Sequence, residues 1–401
     1  MSGRLRVGID ATCLAAGRGY GRFARELLPE LLRQDAETDY VLFADHSAAD
    51  ALASLPGRRV LLETSQAQAH AASARGSRRL RDMWRMGRAV AQTPLDVLYF
   101  PSVYTFFPVP GPTPVAVAIH DTIPERYGEI VFPTRWNRAL WNLKVKLALR
   151  RSRGLLTVSE WSRQRIADHF AVAPDEIHVT PEAPARVFTP PPSPAEKGAW
   201  FEAQGLPKDT RYFLFVGGFN PHKNLELLID AFASVAAARS DLQLVFVGDV
   251  DGDVFHTDVG SLRERIDAHG LHDRVTWAGY VADETLRHLY AGALALVLPS
   301  LEEGFGLPAV EAAACGTASI ATRNSPLPQI LAGGGVFFDP RDGAALAEQL
   351  AAFADEPQRV LALGDRARER AALLTWDKTA RATRSALGAI AGEARAGRPQ
   401  P

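Results

Sequence analysis

Short apolar runs alternate with stretches of helical periodicity along almost the whole sequence, which restricts the chain to parallel sheets covered by helices. The first series reads RLRVGID, GRFARELLPELLRQ, YVLFAD, DVLYF, PVAVAIHD and GLLTVS. A second opens with RYFLFVGG and runs through NLELLIDAFASVAA, LQLVFVGD, RVTWAGY, DETLRHLYAGA, LALVLPS, PAVEAAAC and ASIAT. Its strands are nearly continuous in apolar residues, as expected where both faces of a sheet are covered. Between the series lies PEAPARVFTPPPSPAEKGAW, whose prolines suit neither a helix interior nor a central strand. The pattern predicts a doubly wound α/β domain over residues 1–185, a linker over 186–209 and a second α/β domain over 210–376. Residues 357–393 read as helices rich in Ala and Arg, and a final helix at about 377–395 is placed to pack back onto the first domain.

A length of 401 residues suits two cores. Hydrophobic residues at 47% and charged residues at 23% match folded rather than disordered chains. Cys13 and Cys315 are the only cysteines, too few for a disulfide framework and without paired metal-ligand spacing. The opening MSGRLRVGID enters an apolar strand without the long apolar stretch of a signal peptide or membrane span, so a cytoplasmic location is expected. Residues 1–185 carry 24 Lys+Arg against 19 Asp+Glu, and the remainder 21 against 27. So small a basic excess in the first half fits phosphate-bearing lipid, an anionic small molecule or no partner at all.

Ligands of open parallel sheets bind beyond the carboxyl ends of the strands, and three such segments carry chemistry. In LPSLEEGFGLPAVEAAACG, Gly304 and Gly306 let the backbone approach a ligand closely. Pro308 suits the helix start and Gly316 its stop. A strand, a glycine turn and a helix N-terminus present unpaired N–H groups, a seat for phosphate. Glu303 and Glu311 flank that seat and are suited to sugar or ribose hydroxyls rather than phosphates. Acidic residues also cap and solvate helix starts, but the GFGLP turn favours a binding role. In FLFVGGFNPHKNLELLIDAF a strand ends in Gly217 and Gly218, and Lys223 stands at a helix opening, where its charge either suits a diphosphate or, as for a lone loop lysine, is simply solvated. In PVAVAIHDTIPERY a strand runs into His120 and Asp121. His120 either hydrogen-bonds a ligand or merely closes the strand end, and Asp121 suits a turn.

SLEEGFGLPAVEAAACG resembles the glutamate, seven residues, glutamate signature of glycosyltransferase family 4, the retaining sugar-nucleotide transferases of GT-B fold. The resemblance implies two Rossmann-like domains facing a central cleft, the first binding acceptor and the second the nucleoside-diphosphate sugar. It implies that Glu303 contacts the donor sugar, that Glu311 binds the ribose, and that Gly304, Phe305, Gly306 and Leu307 offer amides to sugar and phosphate. Lys223 then serves the diphosphate, and His120 lies beside the donor sugar, so that His120, Lys223 and Glu303 are the catalytic set. The family often adds an arginine where this chain has Gly218 and His222, which implies a clamp with fewer cations or one borrowed from elsewhere. Tyr280 and Val281, after Gly279, fall where the family's nucleobase pocket lies, with Val247 to Asp249 and Ser300 as further candidates.

The loop AAGRGYGRFARELL follows the first strand, with Asp45 about where a ribose-binding acid of a dinucleotide fold belongs. Gly17, Gly19 and Gly21 do not form GxGxxG, because Arg22 takes the last glycine's place. The family resemblance instead has Gly19 and Gly21 close over donor phosphates or acceptor, with Arg18 nearby. SARGSRRLRDMWRMGRAV and TRWNRALWNLKVKLALRRSRG have basic residues with apolar ones at helical spacing. Each fits a packed helix with a solvated basic face, the favoured reading, or peripheral contact with anionic lipid on the inner face of a membrane. Neither a metal nor another cofactor is expected, and no nucleic-acid partner. The expected reaction is retaining transfer of a mannose- or glucose-type sugar to a glycan, lipid-linked or small-molecule hydroxyl in polysaccharide or glycoconjugate biosynthesis. HDTIPERY resembles mannosyltransferases of surface polysaccharide assembly. The rivals are a sugar-nucleotide epimerase, a nucleotide-dependent oxidoreductase on a related α/β scaffold and a non-catalytic sugar-nucleotide binder.

Overall fold

The computed structural model describes residues 4–17, 19–65, 79–191, 195–204, 207, 209–249 and 259–396. The chain divides into two units, one built from residues up to Glu182 together with those from Trp376 onward, the other spanning Ala183–Thr375.

Among the described residues of the first unit, seven strands make one parallel sheet. They are β1 (Arg6–Asp10), β2 (Asp39–Asp45), β3 (Arg58–Leu62), β4 (Val97–Phe100), β5 (Val115–Ala118), β6 (Gly154–Thr157) and β7 (Ile177–Val179), in the order β3-β2-β1-β4-β5-β6-β7. Every residue of β4, β5 and β6 is buried, as helices on both faces require. The helix α1 (Gly19–Gln34) turns Phe23, Ala24, Leu27, Leu28 and Leu31 inward at helical spacing. A longer helix, α2 (Arg135–Arg151), starts at Thr134, whose hydroxyl accepts the Asn137 N–H. The C-terminal helix, Trp376–Ala396, completes this unit. Its Trp376 is buried edge-on against Phe23 of α1, with ring centroids 5.8 Å apart. Gln34 donates to Asp377 at 2.8 Å, and Thr379 donates to the Pro181 carbonyl at 2.5 Å. Ala380, Leu387 and Ile390 line its buried face.

The second unit repeats the order with six parallel strands among its described residues: β8 (Arg211–Val216), β9 (Leu242–Val247), β10 (Val275–Gly279), β11 (Ala295–Leu298), β12 (Ser319–Thr322) and β13 (Gly335–Phe338), arranged β10-β9-β8-β11-β12-β13. Its helices include α3 (Leu225–Ala236), α4 (Asp283–Gly292) and α5 (Leu307–Ala314). Within the stretch expected as a linker, Ala195–Ala203 forms a helix, Phe201 is buried against Tyr212 at 4.8 Å, and Phe188 is buried against Tyr290 at 5.5 Å. Large rings gain too much from burial to be left on a solvated tether. In both sheets the strand order reverses beside the first strand of the unit, between β1 and β4 and between β8 and β11. That reversal opens a crevice at the carboxyl ends of those strands. Both cysteines are free and buried.

Because Trp376 fills space beside Phe23, Trp376→Ala is expected to destabilise the chain by about 3–5 kcal/mol. Thermal or denaturant unfolding reads this out, and an unchanged midpoint would show that the C-terminal helix contributes little to its unit.

Candidate active site

The loops that follow β8 and β11 meet across the reversal of the second sheet. After β8 the chain makes a short helical turn, Pro221–Lys223, and then Asn224 adopts a left-handed backbone, φ 58°, before α3 begins. Asparagine tolerates that conformation better than most residues. Its side-chain amide donates to the carbonyls of Pro299, after β11, at 3.0 Å and of Pro340, after β13, at 2.8 Å. The Leu301 N–H donates to the His222 carbonyl at 2.8 Å, and the Glu303 N–H to the Asn324 carbonyl, after β12, at 3.1 Å. Four strand ends are thereby tied into one backbone frame.

Within that frame Lys223 and Glu303 form an ion pair, Nζ to Oε1 2.7 Å, with side chains 19% and 9% exposed. Ser300, fully buried, donates to the same Oε1 at 2.6 Å. Among the described residues no protein donor engages Oε2, which leaves that oxygen as an acceptor for a hydroxyl. His222, beside Lys223, is buried, and its Nδ1 has no hydrogen-bond partner among the described residues. Burial, with Lys223's charge nearby, holds its pKa well below the usual range, so it is neutral and adds no cation.

The glycine turn leads into α5 through Gly306, whose φ of 83° suits glycine and whose missing Cβ would stand 2.8 Å from Leu327. Leu307 is the first residue of the helix and Pro308 the second, while Phe305 packs inward. Gly316, φ 87°, follows the helix end. Glu311, one turn into α5, accepts a hydrogen bond on Oε2 from Tyr290 of α4 at 3.0 Å and is 2% exposed, so it presents little surface in this conformation. At the neighbouring ends of β8, β9 and β10 stand Gly217, Gly248 and Gly279. A Cβ on Gly248 would lie 2.0 Å from the Gly217 carbonyl, and Gly248 N–H donates to Gly279 at 2.9 Å. These glycines make a low shelf of backbone, with Gly218 at one end and, beyond Gly279, Tyr280 (82% exposed) and the half-exposed Val281.

The remaining candidates lie in the first unit. His120 follows β5, and its Nε2 meets the Pro101 carbonyl, after β4, at 2.9 Å. Burial holds its pKa at about 4, so the imidazole is neutral at physiological pH and Nε2–H is the donor. Its Nδ1 stands 3.7 Å from Glu182. With the ring neutral this is a polar contact and not an ion pair. Phe23 packs edge-on against the ring at 4.8 Å. Gly19 and Gly21 belong to the first turn of α1 rather than to a loop. Gly21 has a packing reason, since a Cβ there would stand 2.0 Å from the Ala16 carbonyl. Arg18 lies outside the described residues. Asp121 accepts from the Ile123 N–H at 2.9 Å and Asp45 from the Ser47 N–H at 3.0 Å, which makes both turn formers. Sequence reasoning missed Asn224, Tyr290, Asn324 and Glu182, which act through partners distant along the chain, so no local pattern marks them. Among the described residues no group of three or more His, Cys, Asp or Glu side chains is arranged to hold a metal ion.

Family models match both halves of the chain. Residues 17–183 match the model described as Glycosyltransferase Family 4, and residues 196–370 match that described as Glycosyl transferases group 1. The chain belongs to glycosyltransferase family 4. The MMP alpha-(1->4)-mannosyltransferase of Mycolicibacterium hassiacum is 30% identical over 67% of this chain and 63% of its own length. The chain spans between 47% and 63% of the length of the curated relatives it matches. Among solved structures, sucrose-phosphate synthase from Thermosynechococcus elongatus has a TM-score of 0.73 at 19% identity, covering 98% of this chain and 100% of that one. Anabaena HepE in complex with UDP-glucose has a TM-score of 0.70 at 17% identity, covering 98% and 100%. The architecture is that of the GT-B transferases, two α/β units with parallel sheets.

The buried, neutral His120 makes stability depend on pH. Its folded pKa of about 4 lies below the ordinary 6.5, so below that value the unfolded chain takes up a proton that the native chain refuses. Stability therefore falls as pH drops through this window, by about 2 kcal/mol between pH 7 and pH 5. His120→Asn is expected to lose that much less than the unmodified chain over the same interval, as read by urea unfolding at each pH, and parallel losses would contradict the assignment.

Proposed function

We propose that the chain is a retaining glycosyltransferase that moves a mannose- or glucose-type sugar from a nucleoside diphosphate to a hydroxyl acceptor in polysaccharide or glycoconjugate assembly. The Lys223–Glu303 pair at the sheet reversal carries this reading, because it joins a cation for phosphate to a carboxylate for hydroxyls. The N-terminus of α5 and the backbone of Gly304 to Leu307 are suited to share the diphosphate's charge. Glu311 is assigned to the ribose, and the glycine shelf with Tyr280 and Val281 to the base. A mannosyltransferase among the relatives and a UDP-glucose complex among the structural neighbours support the donor class. Gly19, Gly21 and the His120 imidazole are assigned to the donor and its sugar.

In the proposed step the bond from the anomeric carbon to the diphosphate oxygen breaks while the acceptor oxygen bonds to that carbon on the same face. The acceptor's proton passes to the departing phosphate, so no carboxylate nucleophile is required. Lys223 and the helix amides stabilise the charge that grows on the phosphate. Transfer on this scheme persists in EDTA, and its loss on chelation would call for a metal.

Glu303→Ala separates the two members of the pair. Transfer is expected to fall on the order of 10²-fold or more, as for loss of a transition-state contact. Affinity for the free nucleoside diphosphate should hold or rise, because Lys223 is released from its carboxylate. Lys223→Ala should weaken that affinity instead. Calorimetry with UDP and GDP, alongside release of nucleoside diphosphate with and without acceptor, tests both. A fully active Glu303→Ala enzyme would remove the carboxylate from the scheme, and release without acceptor would count against transfer. A thermal-shift screen of UDP-, GDP-, ADP- and dTDP-sugars identifies the donor, since a ligand of the native state raises the melting temperature.

A further inference from the structure

Helix α2 is apolar on two opposite sides. Trp141, Val145 and Ala148 point into the first unit and are buried. Trp136, Leu140, Leu143 and Leu147 recur at i, i+4, i+7 and i+11, which gathers them into a stripe about 60° wide on the other side. All four are exposed, at 72%, 43%, 52% and 40%. The helix sequence RWNRALWNLKVKLALRR contains no acidic residue. Arg135, Lys146 and Arg150 flank the stripe, are exposed, and have no ion pair or hydrogen bond among the described residues. Elsewhere on the surface Arg163, Arg211, Arg239, Arg265 and Arg323 are matched to carboxylates. Unmatched cations stand elsewhere too, Arg58, Arg81 and Arg366 among them, but on α2 three of them border an apolar ridge that a merely solvated face does not need.

We propose that this face of α2 docks on an anionic lipid bilayer. Its 17 residues lie in the plane of the surface. The tryptophan and leucine ridge enters the boundary between headgroups and acyl chains, and Arg135, Lys146 and Arg150 reach lipid phosphates at its side. Among the described residues no helix is long and apolar enough to cross a membrane, so the contact is an interfacial one. Charge selects the bilayer over a second copy of the chain, because two such faces would oppose cation to cation with no acid between them. The proposal stands apart from the donor assignment, and its test does not depend on turnover.

The full chain is floated with vesicles of phosphatidylcholine and with vesicles of an equimolar phosphatidylcholine–phosphatidylglycerol mixture. It is expected to bind the anionic vesicles, with binding that weakens as salt is raised, and to bind neutral ones far less. Trp136→Ser with Leu143→Ser should lose about tenfold or more in binding, and Lys146→Glu with Arg150→Glu a similar factor together with most of the salt dependence. Unchanged melting temperatures show that these exposed substitutions leave the fold intact. Trp136→Phe should still bind, but quenching of tryptophan fluorescence by brominated lipid should drop, because the inserted ring is gone. Equal binding to both vesicle types, no binding to either, or variants that bind like the original chain would overturn the proposal. A chain that ignores vesicles but pairs with itself or with an acidic protein through this face would overturn it as well.

Discussion

Two strand ends lying side by side where a parallel sheet reverses its order fix the rest of the candidate site. Strands β8 and β11 pair only at Phe213 with Ala295 and at Leu214 with Leu296, after which their loops are free to separate. Lys223 and Glu303 bridge those loops at 2.7 Å. Asn224 holds the bridge in place by abandoning helical geometry at one residue and binding the carbonyls beyond β11 and β13. Stability alone is a poor account of such a pair, since a largely buried ion pair recovers little more than it loses in desolvation. On the proposed function its chemistry accounts for it better, because an ammonium and a carboxylate set at a sheet reversal can address the two halves of a sugar phosphate.

Strands buried on both faces were legible in the sequence because burial demands continuous apolar runs. Thus β4, β5, β6, β8, β9 and β11 stand out as VLYF, VAVA, GLLT, RYFLFV, LQLVFV and ALVL. The strands that escape such a reading lie at sheet edges. In β3, RRVLL is largely exposed, β7 has three residues, and β13 is buried fully only at Phe338. A strand covered on one side has no need of an apolar signature.

The same distinction governs the site. Glu303, Glu311 and Lys223 are visible because a glycine turn or a helix opening lies beside each of them in sequence. Tyr290, Asn324 and Asn224 are hidden because their partners stand 21 to 116 residues away. Helix α2 shows the opposite limit, since its mixed composition conceals two apolar stripes until the packing tells which one faces inward.

On the proposed function, Glu303 does different work before and after donor binds. A carboxylate 7% exposed needs donors in either state. In this structure Lys223 and Ser300 supply them at Oε1. A diphosphate arriving at α5 competes for Lys223, and His222, neutral through burial, contributes no second cation to soften that competition. The sugar's hydroxyls then become the natural replacement donors, because they arrive on the same molecule as the phosphate that draws the lysine away. Phosphate binding and sugar recognition are in this way linked through one carboxylate, and a nucleoside diphosphate without its sugar would have to leave Glu303 poorly satisfied or share the lysine with it.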